Sequence, residues 1–261
     1  DTLIVDSLSG KAIMHQNIHL YDTVNNVIVE GNYGEVTKNN DYAYVTERAQ
    51  LILVGKTDSL FVHGDTLSSR KDSLGNNVLK AYYNTKFFNP DLQGICDSMI
   101  FPVADSTVYL FGTPIVWASG NQLTGTTIDM HLKNNEVDLF HLNNKAFIVN
   151  QLDTAKFNQI KGRNMTGYIR HNELYLVEVD GNGESIYYPD DKGVIIGLNK
   201  TISSAIKIHL KEKRVNRIVF ITKPEGTLNP LIIVDPKDRF LKDFEWHQDK
   251  QPRSKEDIFN K

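Results

Sequence analysis

"LQGICDSMIF" runs from Leu92 to Phe101, and "LTGTTIDMHL" from Leu123 to Leu132. Each reads apolar, polar, glycine, then a strand-like run with mixed faces. The two belong to a longer series of glycines that precede strand-like text. Gly34, Gly64, Gly94, Gly125, Gly167 and Gly197 stand 30, 30, 31, 42 and 30 residues apart. A fixed period in the range of about 20–50 residues marks a stacked repeat, in which each unit buries its apolar face on the next. Glycine suits a bend where a side chain would strike the neighbouring rung. The expectation is that these glycines mark the same bend in successive rungs.

The text between them is β-like. "STVYLFG" (Ser106–Gly112), "TPIVWAS" (Thr113–Ser119) and "NELYLVEV" (Asn172–Val179) are rich in β-branched and aromatic residues. "KNND" (Lys38–Asp41), "KNNE" (Lys133–Glu136), "LNNK" (Leu142–Lys145) and "DGNG" (Asp180–Gly183) separate such runs. Asn, Asp and Gly tolerate the left-handed backbone of tight β-turns. Helix signals are scarce. The pattern predicts an all-β chain of stacked antiparallel strands, an elongated open β-jellyroll of solenoid type with a repeat of about 30 residues. One domain is expected over residues 1–235, with a weaker break at 152–161. Residues 236–261 are charged and interrupted by proline, and read as a C-terminal tail.

Composition narrows the function classes. The 261 residues are 40% hydrophobic and 23% charged, enough for a real core. The net charge is −3, which argues against a nucleic-acid-coating protein. A single cysteine, Cys96, excludes an intramolecular disulfide and a cysteine-built metal site. No apolar run approaches the ~18 residues of a transmembrane helix. The opening "DTLIVDSLSG" has neither the basic nor the long apolar region of a signal peptide. Eight histidines are scattered, and no HExxH, GxSxG, P-loop or GxGxxG occurs. His131 and His141 flank "KNNEVDLF" and should sit on the two strands of one hairpin, as unmatched surface histidines rather than a zinc pair. The reading is therefore not an enzyme, with no catalytic residue, no metal and no cofactor.

"NIHLYDTVNNVIVEGNYGEV" (Asn17–Val36), "DYAYVTERAQLIL" (Asp41–Leu53), "DSLFVHGDTL" (Asp58–Leu67), "FFNPDLQGICDSMIF" (Phe87–Phe101) and "GNQLTGTTIDM" (Gly120–Met130) form a set. The set resembles the OstA-like or LptA-like periplasmic proteins of lipopolysaccharide transport, in forms similar to Bacteroidetes-type members. The resemblance spans Ile18 to Val234. It implies stacked antiparallel strands closed loosely into a jelly roll around an apolar groove for lipid A acyl chains. It implies lipopolysaccharide as ligand, and a periplasmic or outer-membrane-associated location. Other Lpt-type β-jellyroll proteins would be partners through edge-strand pairing, with end-to-end homo-oligomers as a further possibility. The chain departs from the short bridge protein of that family in its length and its charged, proline-containing tail.

A lipid conduit needs a continuous apolar wall, since each CH₂ removed from water is worth about 0.8 kcal/mol. Period-two strands can supply it, every second residue of stacked rungs facing one groove. The candidates are Leu110, Ile115, Trp117, Leu123, Ile128, Met130, Leu132, Leu139, Phe147 and Val149, with Met99 as further flexible lining. Several strands are apolar on both parities, so one face can form the groove while the other meets a partner or the tail. The same residues also suit an ordinary sandwich core. In "IKIHLKEKRVNR", Lys207, Lys211 and Lys213 could contact lipid phosphates. The simpler reading is a lysine-studded edge strand protected from aggregation. Two alternatives to the conduit are a structural or protein-binding β-solenoid with a dry core, and a polysaccharide-acting solenoid enzyme.

Overall fold

The structure, a computed structural model, describes residues 2–23, 26–38, 41–134, 136–171, 173–212 and 214–260. Among these residues the chain forms strands and short 3₁₀ turns and no α-helix. It divides into two compact units, Asp1–Pro114 with Lys250–Lys261, and Ile115–Asp249.

The first unit holds β1 (Thr2–Asp6), β2 (Lys11–Asp22), β3 (Val27–Thr37), β4 (Tyr42–Thr46), β5 (Gln50–Leu53), β6 (Leu60–His63), β7 (Thr66–Lys71), β8 (Asn77–Asn89), β9 (Leu92–Pro102) and β10 (Thr107–Phe111). Long β3 carries two short neighbours along its length. β4 lies beside its C-terminal half and β5 beside its N-terminal half. β8 is flanked in the same way by β7 and β6. A rung is thus either two short strands meeting at a corner or one long strand that bends there. The long strands bend at register shifts, at His15/Ile18 in β2 and Tyr82/Thr85 in β8. An irregular residue in a ladder bends the strand and sharpens its twist.

The second unit repeats the scheme. Its strands are β11 (Ile115–Ala118), β12 (Asn121–Thr124), β13 (Thr127–Lys133), β14 (Glu136–Asn143), β15 (Ala146–Gln151), β16 (Phe157–Gly162), β17 (Asn164–Arg170), β18 (Glu173–Tyr187), β19 (Asp190–Asp191), β20 (Val194–Ile195), β21 (Leu198–Lys211), β22 (Arg214–Ile221) and β23 (Glu225–Asn229). One sheet runs β13, β14, β17, the first half of β18, the second half of β21, then β22. The other runs β11, β12, β15, β16, the second half of β18, the first half of β21, then β23. This is the all-β, stacked antiparallel architecture of the jellyroll class that the sequence predicts. Chain direction reverses at each rung, so a given position returns in the same direction only every second rung. That accounts for an interval near 30 residues with rungs about half as long.

The glycines do not share one role. Gly64 and Gly125 stand at corners, between β6 and β7 and between β12 and β13. Gly34, Gly94 and Gly167 lie inside strands. Gly94 is in register with Phe87, and Gly167 with Phe140. A Cβ at either glycine would overlap the facing ring. The expectation of one repeated bend is therefore corrected: here glycine seats a neighbour's aromatic ring. Both demands select the residue without a side chain, so spacing alone does not separate them.

Cross-strand register lines up apolar rows. In the first unit Met14, Gly34, Val45, Leu67, Ala81, Met99 and Leu110 form one row across β2, β3, β4, β7, β8, β9 and β10. Leu20, Val29, Leu51, Val62, Phe87 and Gly94 form a second. Cys96 is buried, and that burial, with Asp97 nearby, pushes its thiol up to about 12. It is an inert core residue at neutral pH.

Residues 236–260 are not a free tail. Within the first unit Ile258 is fully buried, and the Phe259 ring packs 4.9 Å from His63 with the Arg48 guanidinium 4.3 Å above it. Gln251 Nε2 donates to Gln93 Oε1 at 2.8 Å. The segment reads as a tail because its apolar residues lack strand or helix periodicity, yet Leu241 and Ile258 are buried and Phe240, Phe244, Trp246 and Phe259 are half-buried.

Gly167→Ala should destabilise the protein by about 1–3 kcal/mol in denaturant unfolding, because the Phe140 ring has to move. Adding Phe140→Leu should recover part of that loss. Additive effects of the two changes would show that they do not share a seat.

Candidate functional site

In the second unit two apolar rows cross six strands of one sheet. The first is Ile128, Leu142, Met165, Val179, Ile206 and Phe220. The second is Met130, Phe140, Gly167, Val177, Ile208 and Ile218. Leu123 pairs with Val116 and Ile148 on the second sheet. Of the predicted lining residues, Leu123, Ile128 and Met130 thus belong to the interior, as does Leu110 in the first unit. All four are at most 6% exposed.

The other candidates lie elsewhere. Ile115, Trp117, Phe147 and Val149 take the opposite parity, that of Gln122 and Thr124. Phe147 and Val149 join Phe157, Ile186, Tyr188 and Leu198 in a core closed by Val234 and Leu241 and flanked by Phe240, Phe244 and Trp246. This face of the sheet is covered by the chain's own C-terminal segment. Leu132 and Leu139 are half-buried, and Leu139 shares the outer face with Tyr168 and His131.

Two buried glutamines hold that covering segment. Gln122 Nε2 donates to the Glu245 carbonyl at 2.9 Å, and its Oε1 accepts from His247 N at 2.7 Å. Gln159 Nε2 donates to the Arg239 carbonyl at 2.8 Å, and its Oε1 accepts from Leu241 N at 2.8 Å. Each primary amide mimics a strand edge and satisfies one donor and one acceptor of a segment that has no ladder of its own. Lys161 Nζ adds bonds to the Lys242 carbonyl at 3.1 Å and to Asp243 Oδ2 at 2.9 Å. Sequence reasoning missed these residues. The available signal was weak, a glutamine beside a large apolar residue in the short strands "NQLT" and "FNQIKG".

The basic strand is also reassigned. β21 pairs with β18 on one side and with β22 and β23 on the other, so it is not an edge strand. Its lysines alternate because one face of an internal strand is wet. Lys207 Nζ pairs with Glu178 Oε1 at 2.6 Å, and Glu178 Oε2 accepts from Tyr168 Oη at 3.1 Å. The Lys207 bond, ahead of the Tyr168 bond, holds the Glu178 carboxyl below its usual range. Lys207 is therefore engaged, Lys211 is exposed at the strand end, and Lys213 lies outside the described residues. A matching network recurs in the first unit, where Glu35 meets Lys11 at 2.8 Å and Tyr44 at 3.2 Å.

His131 and His141 do sit on the two strands of one hairpin, with rings 5.1 Å apart, edge to face. His141 Nδ1 lies 3.0 Å from Thr166 Oγ1. Burial, then the neighbouring His131, lowers the His141 pKa, and Asp129 opposes them. Among the described residues no three His, Cys, Asp or Glu side chains come together as metal ligands.

No family model matches the chain, and no curated protein matches it. Among solved structures it is similar to LptH, the LptA-homologous periplasmic component of the conserved lipopolysaccharide transport device from Pseudomonas aeruginosa. That match has 14% identity and a TM-score of 0.37, and covers 51% of this chain and 94% of the other.

Gln159→Ala and Gln122→Ala should each cost about 1–3 kcal/mol, since each removes a buried amide that pairs an N–H and a carbonyl of the covering segment. Limited proteolysis should then cut within Phe240–Trp246 before the sheets are attacked. Unchanged cleavage would mean that packing alone holds the segment. A lowered His141 pKa means that the unfolded chain takes up the proton first. The His141 contribution to stability is therefore full above the ordinary value of 6.5 and falls as pH drops below it. His141→Gln should flatten the stability–pH slope below that value in denaturant titrations.

Proposed function

We propose that this chain is a periplasmic protein of lipopolysaccharide transport that shields lipid A acyl chains between its sheets. The observation that carries the reading is the pair of apolar rows across six strands of the second unit, with Val116, Leu123 and Ile148 aligned in a buried row on the other sheet. A continuous apolar wall is what a multi-acyl ligand needs, because hydrophobic transfer dominates its energetics. The set of phrases from Asn17 to Met130 that resembles the OstA-like or LptA-like family, of Bacteroidetes type, supports the same reading. The role assigned is binding and transfer, with no catalytic group.

Edge pairing with Lpt-type partners, or end to end between copies, is part of the proposal. Among the described residues of its unit β1 is in register with β2 alone, and Leu3, Ile4 and Val5 on it are more than half exposed. An apolar strand with one open edge can accept another strand.

A second reading, a structural solenoid with a dry core, is favoured by one observation. Ile128, Leu142 and Ile206 are at most 1% exposed, so the interior rows are closed on one another. Acyl chains would have to part the sheets, and the half-buried row ends Ile218 and Phe220 on β22 are where that would start.

Native mass spectrometry of the folded chain with lipid A separates the two. The conduit predicts a saturable adduct, reduced about tenfold or more by Ile218→Asp, since a carboxylate against acyl chain costs well over 1.4 kcal/mol. A clean unliganded mass at saturating lipid would establish the dry core instead.

A further inference from the structure

Three β-hairpins of the second unit follow one plan. "KNNEVDL" (Lys133–Leu139), "RHNELYL" (Arg170–Leu176) and "KEKRVNR" (Lys211–Arg217) begin with a basic residue. The next residue has positive φ in each: Asn134 at 55°, His171 at 52° and Glu212 at 53°. Each hairpin then carries one extra residue on its second strand. Asp138, Tyr175 and Asn216 are skipped by the register, between Leu139 and Val137, Leu176 and Leu174, and Arg217 and Val215. A bulge re-aims the side chain it carries, and bulges cluster next to binding sites.

The first two hairpins are neighbours, because β14 pairs with β17. Their bulges bring Asp138 and Tyr175 to one open cavity of about 540 Å³ on the outer face of the sheet. The floor is apolar and aromatic. Leu139 and Tyr168 are in register, and the Tyr168 and Tyr175 rings lie 6.3 Å apart. The Arg170 guanidinium sits 4.7 Å over the Tyr175 ring. Tyr168 is held in place by its bond to Glu178. The rim is charged with both signs. Lys133 and Glu136 are in register across the hairpin. Yet among the described residues neither they nor Asp138 has an ion-pair or side-chain hydrogen-bond partner.

We propose that this cavity is a saccharide-binding site for one or two pyranose rings. A pyranose has an apolar C–H face and a rim of hydroxyls, each both donor and acceptor. The tyrosine floor suits the first. The acceptors of Glu136 and Asp138 and the donors of Lys133 and Arg170 suit the second. An anionic ligand would meet the two carboxylates, and a cationic one the lysine and arginine. A neutral polyol can use all four. The volume is within the range of about 300–1,000 Å³ typical of small-ligand sites. The inference does not depend on lipid transport, because Leu139 and Tyr168 face away from the interior rows.

The test is an NMR titration of the full chain with two soluble, acyl-free probes, maltose and the N-acetylglucosamine disaccharide, with inorganic phosphate as a third. The expected result is saturable shifts at Leu139, Tyr168, Ile169 and Tyr175 with at least one sugar, at a Kd of about 1 mM. Tyr175→Ala and Asp138→Asn should each weaken binding about fivefold or more. Lys211→Ala, on the third hairpin, should leave it unchanged. Arg170→Gln serves if Tyr175→Ala fails to fold. No shift with either sugar up to about 50 mM, equal shifts with phosphate, or binding indifferent to the rim variants would overturn the proposal. Because the probes carry no acyl chain, a negative result here leaves the lipid A measurement unaffected, and the reverse also holds.

Discussion

Antiparallel registry between successive rungs is the constraint on which everything else in this chain depends. A strand has period two, so a slip of one residue would turn every interior side chain outward. Here the register is kept from β13 to β22, and it places Ile128, Leu142, Met165, Val179 and Ile206 in one line. Keeping it around a corner is harder. The chain does so either by breaking a rung into two strands, as at Gly125, or by shifting register within a long one, as between Asp180 and Gly183. Register also brings Phe87 opposite Gly94 and Phe140 opposite Gly167, where only a residue without a side chain leaves room for the ring.

A second constraint follows from strands that are apolar on both parities. β11 and β15 cannot leave either face in water without exposing Phe147 and Val149 or Val116 and Ile148. The protein covers the second face with its own C-terminal segment. That segment lacks the regular backbone pairing of a strand, so its polar groups need other partners. Gln122 and Gln159 supply them from within the sheet, each giving one donor and one acceptor. The charged residues around Leu241, Phe244 and Trp246 remain in water while the apolar side chains are seated. Charge and proline made this stretch look like an appendage, although its sparse aromatic residues close a core.

The outer faces are organised as well. Lys207, Glu178 and Tyr168 link three adjacent strands of one unit, and Lys11, Glu35 and Tyr44 link three of the other. The second-unit network occupies Lys207, one of the three lysines read as phosphate contacts. The hairpin tips do the reverse: their bulges gather an aromatic floor, and among the described residues Lys133, Glu136 and Asp138 stand at its rim without an ion-pair partner.

Sequence by itself determined the all-β class and a repeat near 30 residues, because β-branched and aromatic runs, Asn- and Gly-rich turns and glycine spacing are local properties of the chain; that the repeat spans two rungs came from the strand pairing. Of the residues the sequence proposed as lining, Leu110, Leu123, Ile128 and Met130 are buried in the interior. What only the tertiary structure decided is which face each residue serves. Trp117 and Val149 share the parity covered by the C-terminal segment, Leu139 joins an outer cavity, and β21 lies inside a sheet rather than at its edge. Alternation tells two faces apart but does not say which is inside. Where both are apolar, that depends on a segment about a hundred residues further along the chain, reached through two glutamine amides.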